Sequence, residues 1–482
     1  MELEKPVLED GFVAFVKQDC PTCTLIEPVL SQMVEIGILK TVFSQDNPEF
    51  PSLKVTEDDS DLELSFKYEI ETVPTLLKVS EGKEIGRIIG WLKDEWEIFC
   101  EVKNLGPEDI GDFSPGCGSR SVDPDLQPML RQKYGSGLGS KIIEFASSED
   151  EFESMYKLGW SDGLPLVPPT ESRILKMLEG TSRSPDEVVA LIPPNLEDLT
   201  VEKIAINSVM AGCKPEYLPI VITALEAVCT DEFNMHGLLA TTMPVGPVLF
   251  VNGPIRNEIG MNSGMNLLGQ GTRANSTIGR ALQLTIRNVG GGRPGEVDRA
   301  THGSPAKIGL CFAEDEEGSP WPSFSEDLGF TSDQNTITVF SGEGPRVIVD
   351  QLSRSADELA RSLAIGLIGN MHPKLVLGFD SILIIGPEHA SRFRDEGWSK
   401  QKVNEAIITH SIRETDLLIR GADGIAEGLP PDFAGLQLPK LRPDGGLLIV
   451  YGGGGAGLFS TSIAGWLNGA KGSQYLTKEI GK

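Results

Sequence analysis

Apolar residues along this chain follow two rhythms. The run Phe12-Val13-Ala14-Phe15-Val16 predicts a buried strand, and Leu25, Ile26, Val29, Leu30 and Met33 follow at helical spacing. Glu81-Gly82-Lys83 predicts a hairpin turn and Leu92 to Val102 an amphipathic helix, which closes a first domain at residues 1–105. The pattern then breaks. Gly106-Pro107, Ser114-Pro115-Gly116 and the run from Gly135 to Ser140 predict a linker over 106–140, with one short helix near Leu126 to Lys133. Cys117 reads as an incidental thiol on that tether, or as the carrier of a disulfide between domains.

From 141 to 482 a larger α/β domain is expected, with a possible subdivision near 330. Helices are predicted from Ser147 to Leu158 with a serine cap, and from Glu171 to Leu178 behind Thr170. Two more run from Val201 to Ala211 behind Thr200 and from Pro215 to Cys229. Val248 to Val251 and Ile308 to Phe312 read as strands. From about Thr336 strands and helices alternate: strands at Thr336–Phe340, Ser381–Ile385 and Leu447–Tyr451, helices at Ala356–Ile368, His389–Arg394, Lys402–Ile412 and Ser460–Leu467. Such alternation predicts largely parallel strands. No period of 20 to 50 residues recurs, which argues against a solenoid.

Composition narrows the function classes. A length of 482 residues predicts two or three domains. A net charge of −28 argues against nucleic acid and anionic membranes as partners. No apolar run approaches the roughly 18 residues of a spanning helix. The start, Met1-Glu2-Leu3-Glu4-Lys5, lacks the basic and apolar regions of a secretion signal, so a cytoplasmic location is expected. Of seven cysteines, five are scattered singly, which suits a reducing compartment.

The strongest chemical signal is Cys20-Pro21-Thr22-Cys23, at a strand-to-helix junction. Two thiols at this spacing can close and reopen a disulfide, and a helix N-terminus stabilises the thiolate of Cys20, expected nearer solvent. Together with Pro28, the segment Glu71-Thr72-Val73-Pro74-Thr75-Leu76-Leu77 and Gly90, this motif resembles the thioredoxin and glutaredoxin-like domains. The resemblance implies that Pro74 is a cis-proline packed on the dithiol, that Cys20 attacks and that Cys23 resolves. Ala14 stands where thioredoxins carry a buried acid, and Asp19 precedes the first cysteine instead of tryptophan. The alternatives are a non-catalytic scaffold and a zinc site. No second cysteine pair has ligand spacing, so no metal and no cofactor beyond the dithiol is expected.

In the large domain, Cys213 sits beside Lys214 before a predicted helix, an environment that lowers a thiol's pKa and suits a nucleophile or an electron acceptor. Cys229 and Cys311 lie in apolar runs and read as core. The segment Asn252 to Gly295 is dense in glycine and amides. Gly271, Arg273 and Asn275 precede a predicted helix, Thr277 to Asn288, with Arg280 further along it, and together they form the candidate anion site. Glu314, His236 and His302 are candidate acids or bases. Gly452 to Gly457 fits GxGxxG formally, but too little chain follows for a dinucleotide fold.

The phrases Asp162-Gly163-Leu164-Pro165 with Val167 to Thr170, Met210 to Tyr217, Arg273-Ala274-Asn275 with Ile278-Gly279-Arg280, and Ser319-Pro320-Trp321 resemble a bacterial family associated with small thiol or selenol redox proteins, including those with a UGSC motif. The resemblance implies a thiol or selenol protein partner. The resulting expectation is a thiol–disulfide redox enzyme, as a single chain or an oligomer, whose dithiol passes electrons to Cys213, to a partner or to a small anionic substrate. The rivals are a hydrolase or lyase with an accessory thioredoxin-like domain, and a partner-binding module.

Overall fold

The computed structural model describes residues 5–146 and 148–481, so the expected serine cap at Ser147 and the first four residues lie outside it. The chain is mixed α/β and falls into two compact units, one up to Glu144 and the other from Phe145 on. Among the described residues no helix is long and apolar enough to cross a membrane.

The first unit is built on a five-stranded sheet in the order Thr56–Asp58, Leu39–Ser44, Gly11–Val16, Thr75–Ser80, Lys83–Ile89. The first three strands run parallel and the last two antiparallel to their neighbours. Gly11–Val16 is central, which is why its apolar run is unbroken: Val13 to Val16 are fully buried. The chain leaves this strand into a five-residue helix, Pro21–Leu25, and a second, Glu27–Glu35, with Pro28 in its first turn. The break between them falls at Ile26, where proline cannot continue the ladder.

Residues 106–140 are not a linker. Phe113–Ser114 pairs with Trp91–Leu92, and Cys117–Gly118 pairs with Thr72–Val73. Behind this strap runs a buried polar network. Gln45 Nε2 donates to Ser65 Oγ and to Ser119 Oγ, both at 2.7 Å, Ser119 meets Ser121, and Ser121 donates to the Ile70 carbonyl. Asp59 accepts from Ser65 at the far end, and burial raises its carboxyl to about 6. The helix Gln127–Tyr134 follows, with Leu130 fully buried and Tyr134 bonded to Asp61. Glycine here serves close approach, not flexibility. A Cβ on Gly116 would overlap Thr72 Cγ2 and lie 3.0 Å from the Val73 carbonyl oxygen. Gly116→Val is therefore expected to destabilise this unit by about 2 kcal/mol in urea unfolding.

The second unit contains two copies of one arrangement. Gly246–Asn252 pairs in parallel with Leu310–Ala313 and antiparallel with Thr336–Gly342. Phe379–Ile385 likewise pairs in parallel with Leu447–Tyr451 and antiparallel with Phe459–Leu467. The fourth strands are exchanged. Arg346–Val349, which follows the first half, pairs with Phe459–Leu467 of the second, while the C-terminal Leu476–Glu479 pairs with Thr336–Gly342 of the first. The halves meet at the pair Gly342↔Gly465. A Cβ at Gly465 would lie 2.8 Å from Phe340 Cζ, and one at Gly342 2.8 Å from Ile463 Cγ2, so the crossing needs both glycines. The first strand of each half ends in Gly-Pro, at Gly253-Pro254 and Gly386-Pro387, and turns into a helix.

Because the fourth strands are exchanged, the expected subdivision near 330 does not divide the unit; residue 330 lies inside the first half. Nor are the strands largely parallel, since each half has one parallel pair. Ser460–Leu467 is strand, not helix: it is held between Arg346–Val349 and Phe379–Ile385, and tertiary pairing overrides its local pattern. Period-two alternation splits the second half between two cores. Ile382 and Ile384 pack with Val248, Phe250 and Phe312 of the first half, whereas Leu383 and Ile385 pack with Leu359, Leu363, Phe393 and Ile407 on helices.

Candidate functional site

Cys20 caps the helix Pro21–Leu25, and its Sγ accepts the Cys23 backbone N–H at 3.3 Å. In its thiol form it donates to the Val73 carbonyl at 3.6 Å, directly before Pro74, whose peptide bond is cis. The hydrogen bond from the Cys23 thiol, and after it those from the Cys117 thiol and the amides of Cys23 and Thr22, outweigh burial and pull Cys20 down to about 5. Cys23 moves the other way: burial, then its bond to Cys20, pushes its thiol far up. Cys20, expected nearer solvent, is 1% exposed and Cys23 is 0%, so both sulfurs are enclosed, and the strap lies against Thr22 and Val73 beside them. Thr22, between the two sulfurs, bonds to Ser114 Oγ at 2.7 Å and donates to the Pro115 carbonyl.

This centre has a titration signature. Reduced protein is expected to show thiolate absorbance rising with a midpoint near 5; a midpoint near 9 would contradict the geometry. The folded-state pKa of Cys20 is depressed from 9.0, so its contribution to stability is fully present above that value and is lost as pH falls through about 5. Asp59, raised from 3.8, works oppositely: its contribution is full below 3.8 and lost as pH rises through about 6. Comparing reduced wild type with Cys20→Ser isolates the sulfur, and the wild-type advantage is expected to be larger at pH 8 than at pH 5.

In the second unit Cys213 lies where expected, after the Val201–Ala211 helix, whose end is capped by Gly212 in a left-handed turn. Its chemistry is the reverse of that expected. It is buried, its Sγ donates to the Thr277 carbonyl at 3.4 Å, and burial pushes the thiol up to about 12. Cys311 is buried as expected, and Cys229 is half-buried.

The candidate anion residues hold the fold together. Arg273 Nε donates to the Gly212 carbonyl at 2.8 Å and so caps the end of the neighbouring helix. Asn275 exchanges hydrogen bonds with the backbone of Asn262. Gly271 is exposed, with a φ of 117°. Arg280 forks onto Asp162, both bonds at 2.8 Å, and also reaches the Leu164 and Pro165 carbonyls. Burial alone would raise Asp162, but Arg280 outweighs it and holds the carboxyl below its usual range.

One helical register further on, Arg287 lines a cleft of about 450 Å³ with Gln283, Lys307 and His302. Arg287 Nε and Gln283 Nε2 are buried and have no hydrogen-bond partner among the described residues, while Lys307 pairs with Asp298 at 2.7 Å. A cleft lined by these two residues, each with an unpaired buried donor, suits an anion better than the glycine-rich loop does. The signal was present in the sequence as arginines at 273, 280 and 287, seven residues apart and therefore on one helix face.

Glu314 is fully buried. It accepts from Asn252 Nδ2 at 2.7 Å, from the Phe324 amide at 2.8 Å and from the Tyr451 amide at 3.3 Å, and desolvation raises its carboxyl. Enclosed by donors on three segments, it ties strand ends together and does not face a substrate. Glu316 and Glu317, its neighbours in the acidic run, pair with the buried Arg256. His236 is exposed on the short helix Met235–Ala240. Gly452, Gly453, Gly454 and Gly457 line a second cleft of about 860 Å³, but the Gly453 and Gly457 amides are committed to Ser263 and Glu388. Among the described residues no group of three or more His, Cys, Asp or Glu is placed to hold a metal ion. Comparison of the chain with protein-family models, with curated proteins and with solved structures gave no match.

Proposed function

We propose that this protein is a thiol–disulfide redox enzyme: the Cys20–Cys23 dithiol supplies two electrons, and the second unit binds a small anionic substrate in the cleft beside Arg287. The observation that carries this reading is the split between the two sulfurs. Cys20 is held ionised at a helix start by donors that include Cys23, while burial keeps Cys23 protonated. An ionised sulfur next to a protonated one is what disulfide exchange needs: one attacks, and the other closes the intramolecular bond.

The strand order supports a thioredoxin- or glutaredoxin-like assignment for the first unit. A parallel pair feeds the dithiol helix, and an antiparallel pair carries Pro74 beside it. The resemblance of the second unit to proteins associated with thiol and selenol redox partners favours the same chemistry, with such a protein as an alternative acceptor. Cys213 is not part of this proposal, because its buried thiol is held protonated. The hydrolase reading loses Glu314, which is enclosed, and keeps only its candidate histidines, of which His302 lines the cleft.

The test uses the full chain, fully reduced, with excess 2-hydroxyethyl disulfide. The expected result is two mercaptoethanol molecules released per chain and a peptide map linking Cys20 to Cys23. Recovery of both sulfurs as thiols after prolonged exposure would overturn the reading.

A further inference from the structure

Cys20 and Cys23 are covered, yet a redox centre must exchange electrons with something outside. The strap that covers them carries a third sulfur. Cys117 pairs with Val73 in antiparallel register, and the Val73 carbonyl is the acceptor for Cys20 Sγ. Cys117 is thereby placed beside Cys20, close enough that each sulfur shifts the other's acidity. Cys20 and Cys23 are buried, whereas Cys117 is half-buried and therefore the member of the trio that solvent reaches. The strap is also fixed. Ser114 and Pro115 are tied to Thr22, Ser119 to Gln45, and Gly116 lies against Thr72 with no room for a Cβ.

We propose that Cys117 is a third redox-active cysteine, forming a disulfide with Cys20 and relaying electrons between the buried pair and a small disulfide in solvent. This rests on the dithiol reading above. In the reducing direction Cys117 passes its proton to the neighbouring Cys20 thiolate. Its own thiolate then attacks the outside disulfide RSSR, forming Cys117–S–SR and releasing RS⁻. Cys20 gives the proton to RS⁻ and attacks Cys117 Sγ; the Cys20–Cys117 bond forms and the second RS⁻ leaves. Cys23 protonates that thiolate and attacks Cys20 Sγ, forming Cys20–Cys23 and returning Cys117 as thiolate. Two thiols are oxidised, one disulfide is reduced to two RSH, and net charge is unchanged. A sulfur with a higher pKa is the stronger nucleophile once ionised, which suits Cys117 to the first attack. Cys20 is lowered, while burial and the neighbouring Cys20 raise Cys117.

The probe is oxidised glutathione, in single turnover with reduced full-length protein. Cys117→Ser and Cys117→Ala are each expected to slow glutathione release at least tenfold while still reaching the Cys20–Cys23 disulfide at equilibrium. In Cys23→Ser, whose third step is blocked, peptide mapping is expected to find Cys20 linked to Cys117. Wild-type rates in both Cys117 variants, or glutathione retained on Cys20 with Cys117 free in Cys23→Ser, would overturn the relay and leave the dithiol reading intact. Failure of the wild-type protein itself to link Cys20 and Cys23 would overturn both.

Discussion

Cys20→Ser is expected to lower two-electron reduction of an external disulfide by about a thousandfold or more, the scale of losing a catalytic nucleophile. A serine hydroxyl keeps the hydrogen-bonding shape of the site. It neither ionises near pH 5 nor forms a bond to sulfur. Every step that closes a disulfide inside the protein uses Sγ of Cys20, so no other cysteine replaces it. Cys213→Ser provides the contrast. Its thiol is buried, bonded to Thr277 and pushed up to about 12, so the variant is expected to retain the wild-type rate. The rates at which the second glutathione is released in the two variants check both statements together. Equal loss in both would place the chemistry elsewhere.

The second large effect is on stability. Arg280→Met is expected to destabilise the second unit by about 3 kcal/mol near pH 7, the cost of removing one partner from a buried ion pair. Arg280 and Asp162 are 12% and 14% exposed, and the fork joins the Asp162-Gly163-Leu164-Pro165 turn to the Arg273–Asn288 helix. Removing the guanidinium leaves a carboxylate with little water to replace it. The pH dependence has a definite sign. The Asp162 carboxyl is depressed in the folded protein, so the pair's contribution is full above the ordinary value of 3.8 and is lost as pH falls below it through the folded-state pKa. The gap between wild type and Arg280→Met, measured by urea unfolding, is therefore expected to narrow below pH 4. A gap that stayed constant to pH 2 would mean that packing, not charge, holds the turn.

The parts of the fold visible in the sequence were those fixed by local chemistry. The run Phe12 to Val16, the cysteines at 20 and 23 and the cap at Thr200 each stand where local spacing or turn chemistry places them. What the sequence concealed depends on partners far along the chain. The strap reads as a linker because Gly116 and Pro115 are usual in flexible segments; here the missing side chain at 116 lets backbone lie against Thr72. Cys117 looks incidental until Val73, 44 residues earlier, is seen opposite it. Phe459 to Leu467 carries a helical spacing that loses to strand neighbours on both sides. The duplication in the second unit escaped a search for short periods, because its Gly-Pro turns stand 133 residues apart.

The candidate anion residues show a related limit. Arginines and glycines before a helix predict a ligand cradle, yet Arg273 and Arg280 are consumed by carbonyls and by Asp162. Composition marks which residues can bind an anion. Only the structure distinguishes those whose donors are already paired from Arg287 and Gln283, whose buried donors are not.

The most direct measurement is an equilibrium redox titration of the full-length chain. Protein is held in buffers of graded reduced-to-oxidised dithiothreitol, acid-quenched, unfolded, alkylated and mapped by mass spectrometry. One two-electron transition is predicted, ending with a peptide in which Cys20 and Cys23 are joined. If both sulfurs carried the alkyl label at every ratio, the account would be contradicted.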